Sequence, residues 1–132
     1  MKKKEKFHLF NSVKREIYYS YIRIIRLISN LFSKNIEHQF LFILSPPYAG
    51  STMLNQLISS SGNVSCNNNL GTREGQLLPG VKSFMFQKDR WDEKVQYPWE
   101  KVRKIWLKYW DYSKPIFLDK SIPNIMRVDE IE

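Results

Sequence analysis

Apolar positions follow more than one rhythm along this chain. Within residues 13–32, Ile17, Tyr21, Ile24, Ile25, Ile28, Leu31 and Phe32 recur mostly at intervals of three and four, which puts them on one stripe of a helix. Lys14, Arg15, Arg23 and Arg26 flank the stripe. The pattern predicts a surface helix whose apolar stripe packs on the core and whose charged face meets water. A basic amphipathic helix over residues 13–32 also suits peripheral contact with an anionic membrane, to which Lys2, Lys3, Lys4 and Lys6 would add attraction.

The rhythm changes after residue 39. Residues 40–44 form a short, continuous apolar run, the pattern of a buried parallel strand. Pro46 and Pro47 can continue neither a ladder nor a helix, so the chain turns there. Gly50-Ser51-Thr52 then opens a helix over residues 53–58, with Met53, Leu54, Leu57 and Ile58 at helical spacing. Residues 59–75, rich in Ser, Asn and Gly, read as a surface loop, with Glu74-Gly75-Gln76 as a candidate for an active-site rim. Pro98 suits the first position of a helix over residues 99–110, with Val102, Ile105, Trp106 and Tyr109 as its buried stripe. At that spacing Trp91, Trp99, Trp106 and Trp110 read as packing anchors.

Pro115-Ile116-Phe117-Leu118 is a second short apolar run. Asp119-Lys120-Ser121 follows it, and Pro123 then begins a helix whose stripe would be Ile125, Val128 and Ile131. Strand, polar turn and helix thus occur twice, which predicts an α/β fold: a P-loop-like parallel sheet flanked by helices.

Composition adjusts this picture in several places. A length of 132 residues and an apolar share of 42% fit one folded domain. The net charge of +8 suggests nucleic acid until it is divided: residues 1–34 hold nine Lys/Arg against two acids, and the rest hold twelve against eleven. The excess belongs to a basic N-terminal arm, residues 1–34, while residues 35–132 are nearly neutral and imply no nucleic-acid face. Cys66 has no cysteine to pair with, and with His8 and His38 it makes no metal-ligand spacing. The expectation is therefore no metal and a lean to a cytoplasmic setting. Asn63-Val64-Ser65 matches the glycosylation triplet, a pattern that arises often by chance. Arg23 and Arg26 break the apolar stretch of residues 17–32, which disfavours a transmembrane helix.

The candidate chemistry lies where the first strand meets its helix. A tight loop entering a helix N-terminus directs several free N–H groups and the positive end of the helix dipole at one point, which makes an anion site. The Gly-x-x-x-x-Gly-Lys-Ser/Thr form of such a loop would need Gly at position 45 and Lys at position 51, where this chain has Ser45 and Ser51, so ATP or GTP hydrolysis fits poorly. Instead, Ser45-Pro46-Pro47-Tyr48-Ala49-Gly50-Ser51-Thr52 after an apolar strand resembles the 5′-phosphosulfate loop of sulfotransferases. Leu118-Asp119-Lys120-Ser121-Ile122-Pro123-Asn124 is similar to that family's second segment, usually Glu-Lys-Ser/Thr-Pro. Glu74-Gly75-Gln76 and Asp89-Arg90-Trp91, with the stretch from Trp99 to Trp110, also look like a subgroup of it.

The resemblance implies transfer of a sulfuryl group from 3′-phosphoadenosine 5′-phosphosulfate (PAPS) to a hydroxyl or amine acceptor. It would put Pro47, Tyr48, Ala49, Gly50, Ser51 and Thr52 around the donor, Asp119 in the place of the family's general base, and Lys120 on donor charge or acceptor position. Tyr48 stands where the family has a basic residue. The family's later Ser and Arg, which hold the donor's 3′-phosphate, have no counterpart, so the expectation is the N-terminal part of such a domain. The alternative from another class is a non-catalytic membrane-surface or interaction module with a vestigial phosphate loop.

Overall fold

The computed structural model describes residues 3–131, with side chains from residue 11 onward. The side chains of the Lys2, Lys3, Lys4 and Lys6 cluster lie outside the described residues. In chain order the elements are α1 (Lys3–Leu31), β1 (Gln39–Phe42), α2 (Ser51–Ser59), β2 (Val64–Cys66), a 3₁₀ turn (Gly75–Leu77), α3 (Lys82–Met85), α4 (Trp99–Trp106), β3 (Ile116–Asp119), a second 3₁₀ turn (Ile122–Met126) and α5 (Val128–Ile131).

The fold is α/β around a three-stranded parallel sheet of order β1-β3-β2. Gln39 faces Ile116 and Phe42 faces Asp119 on one side of β3, while Val64 faces Ile116 and Cys66 faces Leu118 on the other. The ladder runs on past the strands, with the Ile43 N–H donating to the Asp119 carbonyl (3.0 Å) and the Asn67 N–H to the Leu118 carbonyl (3.2 Å). Paired on both edges, β3 buries Phe117 and Leu118. The expectation of a buried first strand is corrected: β1 is an edge strand, and Phe40 and Leu41 are exposed. A continuous apolar run signals burial on both faces only when both strand edges are occupied.

Aromatic side chains fill the main core. The Trp110 ring stacks on Phe117 at 5.0 Å between centroids, Trp106 meets Trp110 edge-on at 5.9 Å, and the Trp110 indole N–H donates to the Leu118 carbonyl (3.0 Å). Offset and edge-on pairs of this kind add about 1 kcal/mol each beyond burial. Trp99 is half-buried and Trp91 exposed, so the reading of the tryptophans as anchors holds for three of four.

Two expectations are overturned. Residues 59–75 are not simply a surface loop: Val64–Cys66 is the third strand, and Ser65, Asn67, Asn68 and Glu74 are buried. The polar residues masked a strand because each meets a partner, as when Ser65 Oγ accepts the Asp111 N–H (2.8 Å) and Asn68 Nδ2 donates to the Glu74 carbonyl (2.7 Å). Of the glycosylation triplet, Ser65 is buried and Asn63 is exposed.

Helix α1 does form, but it docks on the face opposite its apolar stripe. Tyr19 is buried, and Tyr18, Ile22, Arg26 and Asn30 are half-buried. At ~100° per residue this row lies about half a turn from Ile17, Tyr21, Ile24 and Ile28, all of which are exposed. Specific polar contacts select the docked face. Arg26 pairs with Asp111 at 2.8 Å, Asn30 Nδ2 donates to the Trp110 carbonyl (3.0 Å), and Asn30 Oδ1 accepts the Tyr112 N–H (2.9 Å). Among the described residues no helix is long and apolar enough to cross a membrane.

Candidate functional site: an anion-binding turn facing a buried polar cluster

The turn before α2 is built as a concave backbone loop. Tyr48 (φ 63°) and Gly50 (φ 76°) both adopt left-handed conformations, a state that costs a non-glycine residue about 1 kcal/mol or more. The Met53 and Leu54 N–H groups both return to the Gly50 carbonyl, and the first N–H groups of α2 have no intrahelical acceptor. The loop residues named from the sequence, Pro47, Tyr48, Gly50, Ser51 and Thr52, line one cleft of about 430 Å³. Ala49 is exposed within the same turn. The cleft opens at the carboxyl ends of the strands, where open parallel sheets hold their ligands. The Tyr48 ring stands free in solvent.

Lys120 completes the same cleft from β3. Its Nζ donates to the Thr72 carbonyl (2.8 Å) and to Thr52 Oγ1 (3.1 Å), and it pairs with Glu74 Oε1 at 3.4 Å. Both partners of this ion pair are nearly buried, and a buried pair keeps its charges only when further hydrogen bonds support them. Here the Gln76 amide N–H donates to Glu74 Oε2. Gln76 Oε1, buried and lining the cleft, has no hydrogen-bond partner among the described residues. Arg90 lines the outer part of the cleft, its guanidinium 4.8 Å from the Phe86 ring centre and 5.3 Å from that of Trp91.

Asp119 is placed differently from the expectation. It is fully buried and does not line the cleft. Asn67 Nδ2 (2.8 Å) and Ser121 Oγ (3.1 Å) donate to Oδ1, and Asn124 Nδ2 (3.0 Å) donates to Oδ2. Burial raises its pKa to about 6, although these hydrogen bonds and one from the Gly75 N–H pull it down. Enclosed in this way, it is tied to its neighbours: Ser121 Oγ also accepts the Gln76 N–H (2.8 Å) and so fixes the segment that carries Glu74 and Gln76. Gly75 passes so close that a Cβ there would collide with Asp119 Oδ1 and the Asn67 amide.

The separation of Asp119 from Lys120 follows from strand geometry, since successive side chains point to opposite sides. That alternation was the signal available in the sequence, and Glu74 is the carboxylate that meets the cleft in its stead. Arg127 was missed altogether. Almost fully buried, it donates to the carbonyls of Val95 (3.0 Å), Arg90 (3.0 Å), Asp92 (2.8 Å) and Pro123 (3.3 Å) and lies 4.0 Å from the Tyr97 ring centre. It thereby anchors the segment that presents Arg90 and Trp91. No local pattern marks such a residue, because three of its four carbonyl partners lie more than 30 positions away. The single cysteine, Cys66, is buried, and burial pushes its thiol pKa up, which disfavours a reactive thiolate. Comparisons with protein-family models, with curated proteins and with solved structures return no significant match.

Proposed function

We propose that this cleft binds the 5′-phosphosulfate of PAPS within a P-loop-like α/β domain and transfers its sulfuryl group to a hydroxyl or amine acceptor. One observation carries the reading: the hydrogen bond from Lys120 Nζ to Thr52 Oγ1 joins two motifs that lie 68 positions apart in the chain. The N–H groups at the start of α2 would hold the 5′-phosphate, with Thr52, Lys120 and Arg90 supplying donors and positive charge where Tyr48 supplies none. As the acceptor oxygen or nitrogen forms its bond to sulfur, the bond from sulfur to the bridging oxygen breaks and the electron pair leaves on the 5′-phosphate. The acceptor's proton would pass to Glu74, the carboxylate that faces the loop, and Gln76 Oε1 would orient the acceptor by accepting a hydrogen bond.

Calorimetric titration with 3′-phosphoadenosine 5′-phosphate, the desulfated product, tests the reading without turnover. Binding is expected, weakened about tenfold or more by Lys120→Met and a few-fold by the milder Thr52→Val. ATP binding of equal strength, or indifference to both substitutions, would sink it. A second reading, a non-catalytic module with a vestigial loop, draws on Tyr48 standing exposed where the resemblance calls for a cation. Replacing Tyr48 by Lys separates the two: faster transfer marks a site built for catalysis, and transfer absent from both forms marks the module.

A further inference from the structure

We propose that the outer face of α1 and the adjoining side of α4 dock on an anionic phospholipid membrane surface. The observation is a groove of about 760 Å³ between them, lined by Leu27 and Leu31 of α1 and by Leu107 just after α4, with Arg23, Lys104 and Lys108 in the same lining. The groove opens onto the apolar stripe that the fold leaves in water: Leu27 is 66% exposed, Leu31 74% and Phe32 84%. Ile17, Tyr21, Ile24 and Ile28 extend it along the helix. This inference is independent of the sulfuryl-transfer reading.

Three features select a bilayer surface as the occupant. An apolar strip edged by cations matches the boundary of acyl chains and anionic headgroups, where leucines enter the hydrocarbon edge and long basic side chains reach back to phosphate. The 29 residues of α1 make a rod about 43 Å long, and its stripe runs lengthwise, so the helix would lie in the interface rather than cross it. Two of the three cations come from α4 and the turn just after it, more than 70 positions from Leu31, so the charge complementarity belongs to the folded face rather than to the N-terminal arm alone. A second copy of the chain fits less well. A two-fold interface through this face would set Arg23, Lys104 and Lys108 against the same residues of the other copy, where like charges repel.

The test is vesicle co-sedimentation of the full chain with phosphatidylcholine alone and with an equimolar mixture of phosphatidylcholine and phosphatidylserine. Binding is expected only to the anionic vesicles, and it should fall as salt is added. Combining Arg23→Gln, Lys104→Gln and Lys108→Gln should lower partitioning on the order of a hundredfold, at roughly fivefold per cation. Leu27→Gln with Leu31→Gln should abolish binding while circular dichroism melting stays unchanged, because both side chains already stand in water. Failure of the unaltered chain to bind anionic vesicles overturns the proposal, as does binding that survives both sets of substitutions. A concentration-dependent dimer, lost with the leucine substitutions and unaccompanied by vesicle binding, would overturn it in favour of self-association.

Discussion

At the carboxyl ends of the strands, Asp119, Lys120, Ser121, Glu74 and Gln76 are polar and buried, whereas on the outer side of α1 Ile17, Tyr21, Ile28 and Leu31 are apolar and exposed. The two regions depart from the usual distribution in opposite directions, and the reasons differ. Hydrogen bonds hold the polar cluster together around one carboxylate: Asp119 accepts from Asn67, Ser121, Asn124 and the Gly75 N–H. Burial of a satisfied polar group costs little, and removal of one partner leaves the others stranded. Among the described residues the apolar stripe of α1 stays exposed. Its apolar side chains gain nothing where they stand, so their place in the molecule points outward, to a surface that would cover them. The site region is thus organised by internal contacts, whereas the outer face of α1 is left to solvent.

The sharpest way to break this contrast is to open the polar cluster. Asp119→Ala leaves four donors without an acceptor, at about 1 kcal/mol each, so urea unfolding should show a loss of about 4 kcal/mol. A loss below about 1 kcal/mol would mean that Asp119 is not the shared acceptor of these donors.

Next in size is a pH effect from the same carboxyl. Its folded-state pKa, about 6, lies above the ordinary 3.8, so between those values the folded chain holds a proton that the unfolded chain has released. Stability from this group is therefore present at low pH and is lost as pH rises from about 4 through about 6, by roughly 3 kcal/mol in all. Measured as the difference between the unaltered chain and Asp119→Asn, which has no such proton, the advantage of the aspartate should shrink across that window. A flat difference would show that the four donors offset burial fully.

The smallest effect is expected on the other side of the comparison. Leu27→Gln or Ile28→Gln in α1 should shift unfolding by no more than about 0.5 kcal/mol in the absence of a partner. A cost near 2 kcal/mol would mean that these side chains are packed after all. The same substitutions in the docked row, such as Ile22→Gln, should cost more, which sharpens the assignment of the two faces.

Much of the architecture was legible in local patterns. The turn of residues 45–52, the helix after it and the apolar run at residues 115–118 each follow from residues near in sequence. Pro46, Pro47 and Gly50 forbid continuation or permit a left-handed turn, and these are properties of the chain itself. The meeting of Thr52 with Lys120 was anticipated only through resemblance to a known family. The third strand was hidden because Ser65, Asn67 and Asn68 are polar, and whether a polar residue is buried depends on partners that the local sequence does not contain.

What the sequence by itself determined, then, is the strand, turn and helix over residues 40–58, the strand at residues 115–118, and that the sheet is parallel. Tertiary structure decided which side of each element faces inward. Helical spacing gave α1 an apolar stripe, yet Asn30 and Arg26 found their partners in Trp110, Tyr112 and Asp111 and turned that stripe to solvent. Strand alternation gave Asp119 and Lys120 opposite directions, and the packing of β3 between β1 and β2 sent the carboxylate inward and the amine to the turn. Periodicity fixes which residues share a face; only the contacts available on the folded body decide which face is buried.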